Sequence, residues 1–284
     1  RHDPAGPRDP EVGILAVRRV GSPQVLALSV IYSMHPTVLH EDSTLVSADF
    51  PGFTRQHLRE ALGERVTVLY HSGPEGNQSP RYDVRGQTFA EAERLGRRLG
   101  EAVRERLQAL PPDAFRGDVL LDGGIRSVSL PRRQMPAVAD AEAALARYRQ
   151  TFAELRRRHA EHGPVRTAEC DVFGAEETLF LARCQEDGRL EAALRHYDPV
   201  DVHVLRLGDL CLAGCPGELF VEFGLELKRR SRSKLFPVTL VNGELQGYLV
   251  TEEALAEGGY EASNALFKSP DGANILMDLA AELL

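Results

Sequence analysis

Three loops of this chain carry polar side chains of the kinds that bind metals or attack carbonyl groups. The first holds His35, which follows an apolar run and precedes Pro36, so a strand is expected to end there. A neutral imidazole in that position can ligate a metal or act as a general base. It can equally be a histidine that is simply hydrogen-bonded in place, and the residues alone leave both interpretations of His35 open.

The second loop, Gly76-Asn77-Gln78-Ser79-Pro80, follows an expected strand and is rich in glycine and polar residues. Its glycine allows backbone N–H groups to converge, so Gly76 and Asn77 are candidates for stabilising an oxyanion. Ser79 is a candidate nucleophile if a base or a metal lowers its pKa. The alternative is a serine that only forms the turn before a proline.

The third loop, Cys215-Pro216-Gly217-Glu218, ends on a carboxylate. We expect Glu218 to open a helix that runs to about Arg230, where the helix dipole favours a negative charge. This structural explanation of Glu218 competes with metal binding. Cys211 and Cys215 are spaced C-x3-C, but no second Cys or His pair stands nearby to complete a tetrahedral zinc site, so we expect small core residues.

The order of expected strands and helices around these loops predicts an α/β fold with α+β character. In this fold, mixed β-sheets are layered with helices. We expect strands at 11–20, 24–34, 65–70, 125–130, 200–207, 210–213, 236–241 and 246–250, and helices at 52–62, 88–110, 138–161, 176–197, 218–230 and 275–284. Gly21-Ser22-Pro23 and Gly208-Asp209 are each expected to join two neighbouring strands in a hairpin. Thr88 and Glu91 have the spacing of a capping box, and Gly163-Pro164 is expected to stop the helix that begins at Val138. The whole forms a single domain or the larger part of one.

Composition and pattern exclude several classes of function. The 284 residues include 34 basic and 42 acidic side chains, for a net charge of −8, so the diffuse basic field that nonspecific nucleic-acid binding needs is lacking. The longest apolar run, around 25–34, is shorter than the ~20 residues of a membrane-spanning helix. Nucleotide-binding glycine motifs are absent. No signal peptide is seen, which leaves a cytoplasmic protein and a processed secreted one both open.

Together the loops resemble the catalytic region of the neutral ceramidase family, zinc-dependent amidases that cleave the N-acyl bond of ceramide, a sphingolipid. The resemblance implies that residues 1–284 form the C-terminal, larger part of a ceramidase-like catalytic domain. It spans about Asp9 to Tyr260 and rests on five segments in matching order: His35 after its strand, Ser47-Ala48-Asp49-Phe50-Pro51-Gly52, Gly76-Asn77-Gln78-Ser79-Pro80-Arg81, Pro216-Gly217-Glu218, and Gly247-Tyr248-Leu249-Val250-Thr251 followed by Gly259-Tyr260-Glu261.

The resemblance implies roles for particular residues. It makes His35, Glu218 and Tyr248 zinc ligands, Ser79 the serine used against the amide carbonyl, and Tyr260 a hydroxyl near the scissile bond. The implied reaction is metal-dependent hydrolysis of an N-acyl amide, with zinc polarising the carbonyl or activating water, and an N-acylated lipid or another N-acyl compound as substrate. The alternatives are a non-catalytic relative that binds a ligand in the same cleft, or a serine esterase, although G-x-S-x-G is absent.

The chain also departs from the family pattern. Family members have Gly-Asp-(Val/Ile)-Ser-Pro-Asn around the serine, whereas Asn77, Gln78 and Arg81 replace the aspartate, the aliphatic residue and the asparagine here. The family supplies another zinc-binding histidine from an upstream segment and carries a C-terminal immunoglobulin-like domain. Since this chain starts at Arg1, we expect either a complementary N-terminal segment, present as a separate polypeptide, or a partial metal site.

Overall fold

Two β-sheets and a pair of short strands organise the chain. The computed structural model describes residues 5–41, 43–243, 245 and 247–284. The strands are β1 (Gly13–Arg18), β2 (Val25–Tyr32), β3 (Thr67–Ser72), β4 (Leu121–Val128), β5 (Val200–Leu207), β6 (Leu210–Gly214), β7 (Glu218–Leu219), β8 (Lys234–Val238) and β9 (Tyr248–Leu249). The helices are α1 (Asp49–Leu62), α2 (Phe89–Gln108), α3 (Val138–Arg157), α4 (His162–Glu186), α5 (Arg189–Leu194), α6 (Val221–Arg230), α7 (Glu252–Glu257), α8 (Tyr260–Ser263) and α9 (Asp271–Leu283).

The first sheet has the strand order β1-β2-β3. β1 and β2 form the expected antiparallel hairpin, and β3 lies parallel to β2 with Ser72 opposite Tyr32. Leu58 of α1 and Val103 of α2 pack with buried residues of β2 and β3 into one apolar cluster. Because parallel strands end at the same edge of a sheet, the segments after Tyr32 and Ser72 leave the sheet side by side. These segments carry the first two candidate loops.

The second sheet has the order β4-β5-β6-β8 and supports the largest core cluster. Gly208, with φ +63°, forms the predicted tight turn between β5 and β6. Helices α4, α6 and α9 contribute buried side chains to this core. Cys211 and Cys215 are fully buried in it as expected, and burial raises the pKa of Cys215 to about 12. The predicted α/β class with mixed sheets is confirmed.

The structure changes two predicted helix boundaries. Gly163-Pro164 does not stop a helix, because α3 already ends at Arg157 and α4 begins at His162. Pro164 therefore lies in the first turn of α4, where its missing N–H and fixed φ are tolerated. α4 then continues to Glu186, whereas a helix was expected only from Glu176. None of the helices in the described ranges combines the length and hydropathy needed to cross a membrane.

Glu218 does not open a helix, contrary to the sequence prediction. It lies in β7, which pairs in parallel with β9 so that Glu218 stands opposite Tyr248, and α6 begins only at Val221. The extended conformation buries the two residues that follow, Leu219 and Phe220, which are 0% and 6% exposed. The helix-dipole explanation for this carboxylate therefore does not apply. Gln246 and Arg1, which the predictions above include, lie outside the described residues.

Candidate functional site

His35 lies just beyond β2, between two carboxylates. Its Nδ1 is 3.5 Å from Glu75 Oε1, and its Nε2 is 3.4 Å from Glu218 Oε2. The backbone N–H of His35 donates to Gln78 O at 2.9 Å, which ties the end of the strand to the second candidate loop. Burial lowers the pKa of His35, but the Glu75 hydrogen bond and the charges of Glu75, Glu218 and Glu261 outweigh it and leave the pKa raised.

Glu218 and Tyr248 reach this histidine from the paired strands β7 and β9. Burial raises the pKa of Glu218, against the lowering influence of the His35 charge and of a hydrogen bond from Tyr248. The Tyr248 ring meets the His35 ring edge-on, with centroids 6.4 Å apart. Burial and the neighbouring charge of Glu218 also raise the pKa of Tyr248. The structure thus brings together the three residues predicted to bind a metal.

Tyr260, the first residue of α8, joins the same group. Its ring centroid lies 6.0 Å from that of Tyr248. Burial, followed by the charge of Glu218, raises the pKa of Tyr260. The α8 segment is held by Arg133, whose Nη1 donates to three backbone carbonyls within residues 262–265 at 2.9 to 3.1 Å. An internal guanidinium therefore fixes the turn that carries this tyrosine.

A cleft of about 370 Å³ opens beside Glu218, Tyr248 and Tyr260, a volume suited to a small-molecule group. Apolar side chains form part of its wall, namely Leu181, Leu245 and Leu266. Aromatic and aliphatic residues near the motifs pack elsewhere. Phe50 belongs to one buried cluster, and Leu219 and Phe220 belong to the largest one, so these three fill the core.

Ser79 occupies a turn next to Thr37. The two hydroxyl oxygens are 2.9 Å apart, and Ser79 Oγ also accepts the Arg81 N–H at 3.3 Å at the start of a 3₁₀ turn over Pro80–Tyr82. Across the part of the chain that the structure describes, no histidine or carboxylate forms a hydrogen bond with Ser79 Oγ. The turn-forming role of this serine is thus visible, whereas a base that could activate it is not.

Gly76 and Asn77 attach the second loop to the β7–α6 segment. The Gly76 N–H donates to Leu219 O at 2.9 Å, and a Cβ at Gly76 would lie 2.7 Å from Glu218 O, so only glycine permits this approach. Asn77 Nδ2 donates to Glu222 Oε2 at 2.8 Å, and its Oδ1 accepts the N–H of Val221 at 2.9 Å. The Gly76 amide is therefore committed to Leu219 in this structure and is not available to an oxyanion.

Glu75 approaches His35 at the centre of the site and is not among the residues predicted from the sequence. Its side chain is buried, and neither carboxylate oxygen accepts a well-aligned hydrogen bond from any described residue. An acidic residue between Pro74 and Gly76 is typical of a solvated loop. The only signal available was its position soon after β3, in the loop that also holds Ser79.

The separation of the His35 and Glu218 side-chain atoms fits the geometry of a zinc site. Bonds of about 2.0–2.1 Å to tetrahedral zinc place neighbouring ligand atoms ~3.4 Å apart. His35 Nε2 and Glu218 Oε2 are separated by 3.4 Å, and zinc accepts both kinds of donor. Among the residues with described positions, no three His, Cys, Asp or Glu side chains form a group that could hold a metal. The pair therefore fits two positions of a zinc site, and the Tyr248 phenol would provide a third.

Comparison with solved structures matches nearly all of this chain to ceramidases. Against the crystal structure of neutral ceramidase from Pseudomonas aeruginosa, the TM-score is 0.62 at 16% sequence identity, covering 97% of this chain and 46% of that one. This chain has a ceramidase-like fold. A ceramidase complexed with C2 gives a TM-score of 0.62 at 15% identity, covering 97% of this chain and 47% of the other.

The likeness is one of structure more than of sequence. No family model and no curated protein matches the sequence. The chain spans about half the length of the two ceramidases, which are 16% and 15% identical to it. At this identity the comparison establishes the fold, and the chemistry has to be argued from the residues of this chain.

Proposed function

We propose that this protein is a metal-dependent hydrolase of an N-acyl amide bond, with ceramidase-like chemistry. The observation that carries the proposal is the 3.4 Å separation of His35 Nε2 and Glu218 Oε2, because Glu218 also lines the cleft. The ceramidase-like fold over 97% of the chain supports the same class of reaction.

The ion expected at this pair is zinc. Bound zinc polarises a carbonyl group and lowers the pKa of a water or hydroxyl ligand. His35 and Glu218 would hold it, with Tyr248 as the third donor. Tyr248 stands opposite Glu218 in the paired strands, close enough for its hydroxyl to lower the pKa of that carboxylate, and there it would orient the carboxylate.

Tyr260 suits the role of a hydrogen-bond donor to the substrate. Its raised pKa keeps the phenol protonated at neutral pH, and its ring lies against Tyr248 at the wall of the cleft. From there its O–H can donate to the amide oxygen or to the leaving nitrogen. Ser79 remains the candidate nucleophile, in competition with direct attack by water.

The cleft is lined mainly by polar groups, and its smaller apolar part could accept the acyl group of a substrate. Leu181, Leu245 and Leu266 present hydrocarbon surface close to the polar group formed by Glu218 and Tyr260. Such a combination suits an amide whose acyl part is hydrophobic. An N-acylated lipid, including a ceramide, or another N-acyl compound is the substrate class proposed.

The test is hydrolysis of a panel of N-acyl substrates by the purified chain, with metal content measured in parallel. We expect activity to disappear on chelation, to return with zinc, and to be lost in His35→Ala and Glu218→Gln. Ser79→Ala separates attack by serine from attack by water. His203→Gln, a change in β5, is the matched histidine control and should leave activity intact. Full activity in both His35→Ala and Glu218→Gln would refute the proposal.

One observation favours a second candidate, a non-catalytic ligand-binding protein. The described residues supply only two ordinary zinc ligands and a phenol, which is one short of the three common in catalytic zinc sites. Binding of N-acyl compounds without turnover, together with little metal per chain, would identify this second function.

A further inference from the structure

Glu75 combines complete burial with a short approach to His35. The residue is 0% exposed, and its Oε1 lies 3.5 Å from Nδ1 of the imidazole. A buried carboxylate without a hydrogen-bond donor is costly, so a donor is expected to serve it. Among the described residues no donor forms a well-aligned hydrogen bond with either Glu75 oxygen, and the His35 ring, 3.5 Å away, is the candidate for that role.

Backbone hydrogen bonds hold the loop that carries Glu75 in place. Glu75 O accepts the N–H of Gln78 at 2.7 Å, while the next residue, Gly76, is bound to Leu219 O. Asn77 is attached to the start of α6 through Val221 N. These bonds attach the loop to the β7–α6 segment, and the Glu75 side chain is fully buried beneath it.

The two carboxylates beside His35 differ in their access to solvent and to other hydrogen-bond donors. Glu218 is 24% exposed at its side chain, so water can serve it, and the Tyr248 hydroxyl lies close enough to lower its pKa. The Glu75 side chain is only 1% exposed, and within the described part of the chain no donor other than the His35 ring lies beside it with hydrogen-bonding geometry. The cost of an unsatisfied acceptor is therefore greater at Glu75, and a single imidazole proton stabilises the protein more on Nδ1 than on Nε2.

We propose that Glu75 is a positioning residue that accepts the Nδ1–H of His35 and thereby presents the Nε2 lone pair to Glu218 and the cleft. Histidines that bind metals generally donate their other ring N–H in this way, which fixes both tautomer and ring orientation. The tautomer is a property of this chain with no metal bound. Its consequence for zinc affinity rests on the function proposed above.

The direct test is ¹⁵N NMR of the histidine side chains in the metal-free, full chain, in alkaline buffer where the imidazole is neutral. Comparison with His35→Ala assigns the His35 signals. We expect a protonated Nδ1 and an unprotonated Nε2 in the wild-type protein. Glu75→Met removes the acceptor and should move the proton to Nε2, where it faces Glu218. Glu75→Gln keeps an acceptor oxygen and should retain the original tautomer.

Tyr70→Phe is the matched control. The Tyr70 hydroxyl is buried and close enough to Glu75 for that charge to raise the pKa of Tyr70 further. If the hydroxyl served Glu75 in place of the histidine, its removal would alter the His35 signals. We expect no change of tautomer in Tyr70→Phe.

Zinc affinity, measured by competition with a chromogenic chelator, gives the second readout. Glu75→Met should bind zinc about 10–100-fold more weakly than the wild-type chain, with a smaller loss in Glu75→Gln. Its thermal stability should be unchanged or higher, since an apolar side chain replaces a buried, poorly served charge. Loss of zinc affinity without loss of stability separates positioning from a merely structural role.

The outcomes distinguish this inference from the proposed function. A wild-type Nε2–H tautomer, or an unaltered tautomer in folded Glu75→Met, would overturn the positioning role. If Glu75→Met does not fold, the His35 tautomer is compared in the wild-type chain and Glu75→Gln. An Nε2–H tautomer in either protein would then overturn the positioning role. The predicted tautomers in a protein that hydrolyses no N-acyl substrate would uphold the role of Glu75 and refute the hydrolase proposal alone.

Discussion

Glu218 and Tyr248 stand opposite each other in two neighbouring parallel strands, each two residues long. This pairing delivers a carboxylate and a phenol to His35 from distant parts of the chain. Glycine precedes both strands, at Gly217 with φ +77° and Gly247 with φ +88°. The geometry of the site therefore depends on backbone conformations that other residues rarely adopt.

Gly247→Ala should disrupt this pairing. A Cβ there would lie 2.1 Å from Asn264 O, in addition to the strain of a positive φ. We expect a loss of at least ~2 kcal/mol in the free energy of unfolding, measured by urea denaturation. Gly188→Ala is the control, because its φ is +80° but nothing lies within 4 Å of its Cβ position. Equal losses in the two variants would contradict the steric argument.

Arg133 should control the position of Tyr260. Three carbonyls of the α8 segment accept hydrogen bonds from one guanidinium nitrogen, and burial lowers the pKa of Arg133. Arg133→Met leaves those carbonyls without their donor and should cost about 3 kcal/mol of stability. Arg133→Lys should recover part of this. If Tyr260 acts on the substrate, folded Arg133→Met should also hydrolyse it more slowly than the wild-type chain. The rate is measured at a temperature below the denaturation midpoint of the variant, where the protein is folded.

Asn77 should not be replaceable by aspartate while Glu222 is present. The Asn77 amide donates to the Glu222 carboxylate at 2.8 Å, so Asn77→Asp places two carboxylates in contact. We expect Asn77→Asp to lower stability by about 1–2 kcal/mol at neutral pH. Glu222→Gln should restore most of the loss in the double variant. A double-mutant cycle by urea denaturation measures the coupling, and independent effects of the two changes would contradict it.

The segment before β1 is held by charges whose contribution depends on pH. Lys228 Nζ lies 2.6 Å from Asp9 Oδ2 and 2.9 Å from Glu11 Oε2. The hydrogen bond from Lys228 holds the pKa of Glu11 below its ordinary value of 4.5, against the raising effect of burial. A lowered native pKa contributes stability above pH 4.5 and loses it as the pH falls through the native value.

Lys228→Met tests this dependence. Glu11 is about half exposed, so its share of the loss is small, but Asp9 is buried and would lose its cation, so we expect a total loss of about 3 kcal/mol at pH 7. The difference from the wild-type chain should shrink in acid and at high salt, since protonation and screening remove the same attraction. Urea midpoints at several pH values measure it. A difference that stays constant down to strongly acidic pH would indicate lost packing on Phe236, whose ring centroid is 4.9 Å from Nζ.

Features governed by neighbouring residues were predictable from the sequence. The β1–β2 hairpin and helix α2 formed as expected, and Thr88 caps α2 by accepting the N–H of Glu91. The capping box is only half formed, because the Glu91 carboxylate accepts the N–H of Arg85 and not that of Thr88. Gly163-Pro164 was ambiguous, since this pair suits either the end of one helix or the first turn of the next.

Features that depend on distant pairing were not predictable from local pattern. The local sequence predicts that Glu218 starts a helix, whereas its pairing with Tyr248, thirty residues later, places it in a strand. From the local sequence, Glu75 is expected to be a solvated loop residue. In the structure Gly76 N–H is bound to Leu219 O, and the Glu75 carboxylate lies beside His35. The grouping of His35, Glu218 and Tyr248 came from the family resemblance, because no local periodicity links residues so far apart.

The loop from Gly73 to Ser79 is bonded on both sides, to His35 through Gln78 O and to Leu219 O through Gly76 N. The backbone segments that carry His35 and Glu218 are thus joined through one short stretch of chain, which holds the two side chains at a fixed separation. Two donor atoms that keep their separation need little reorganisation when a ligand arrives. The entropy of ordering them is lost when the chain folds, so it does not oppose binding later.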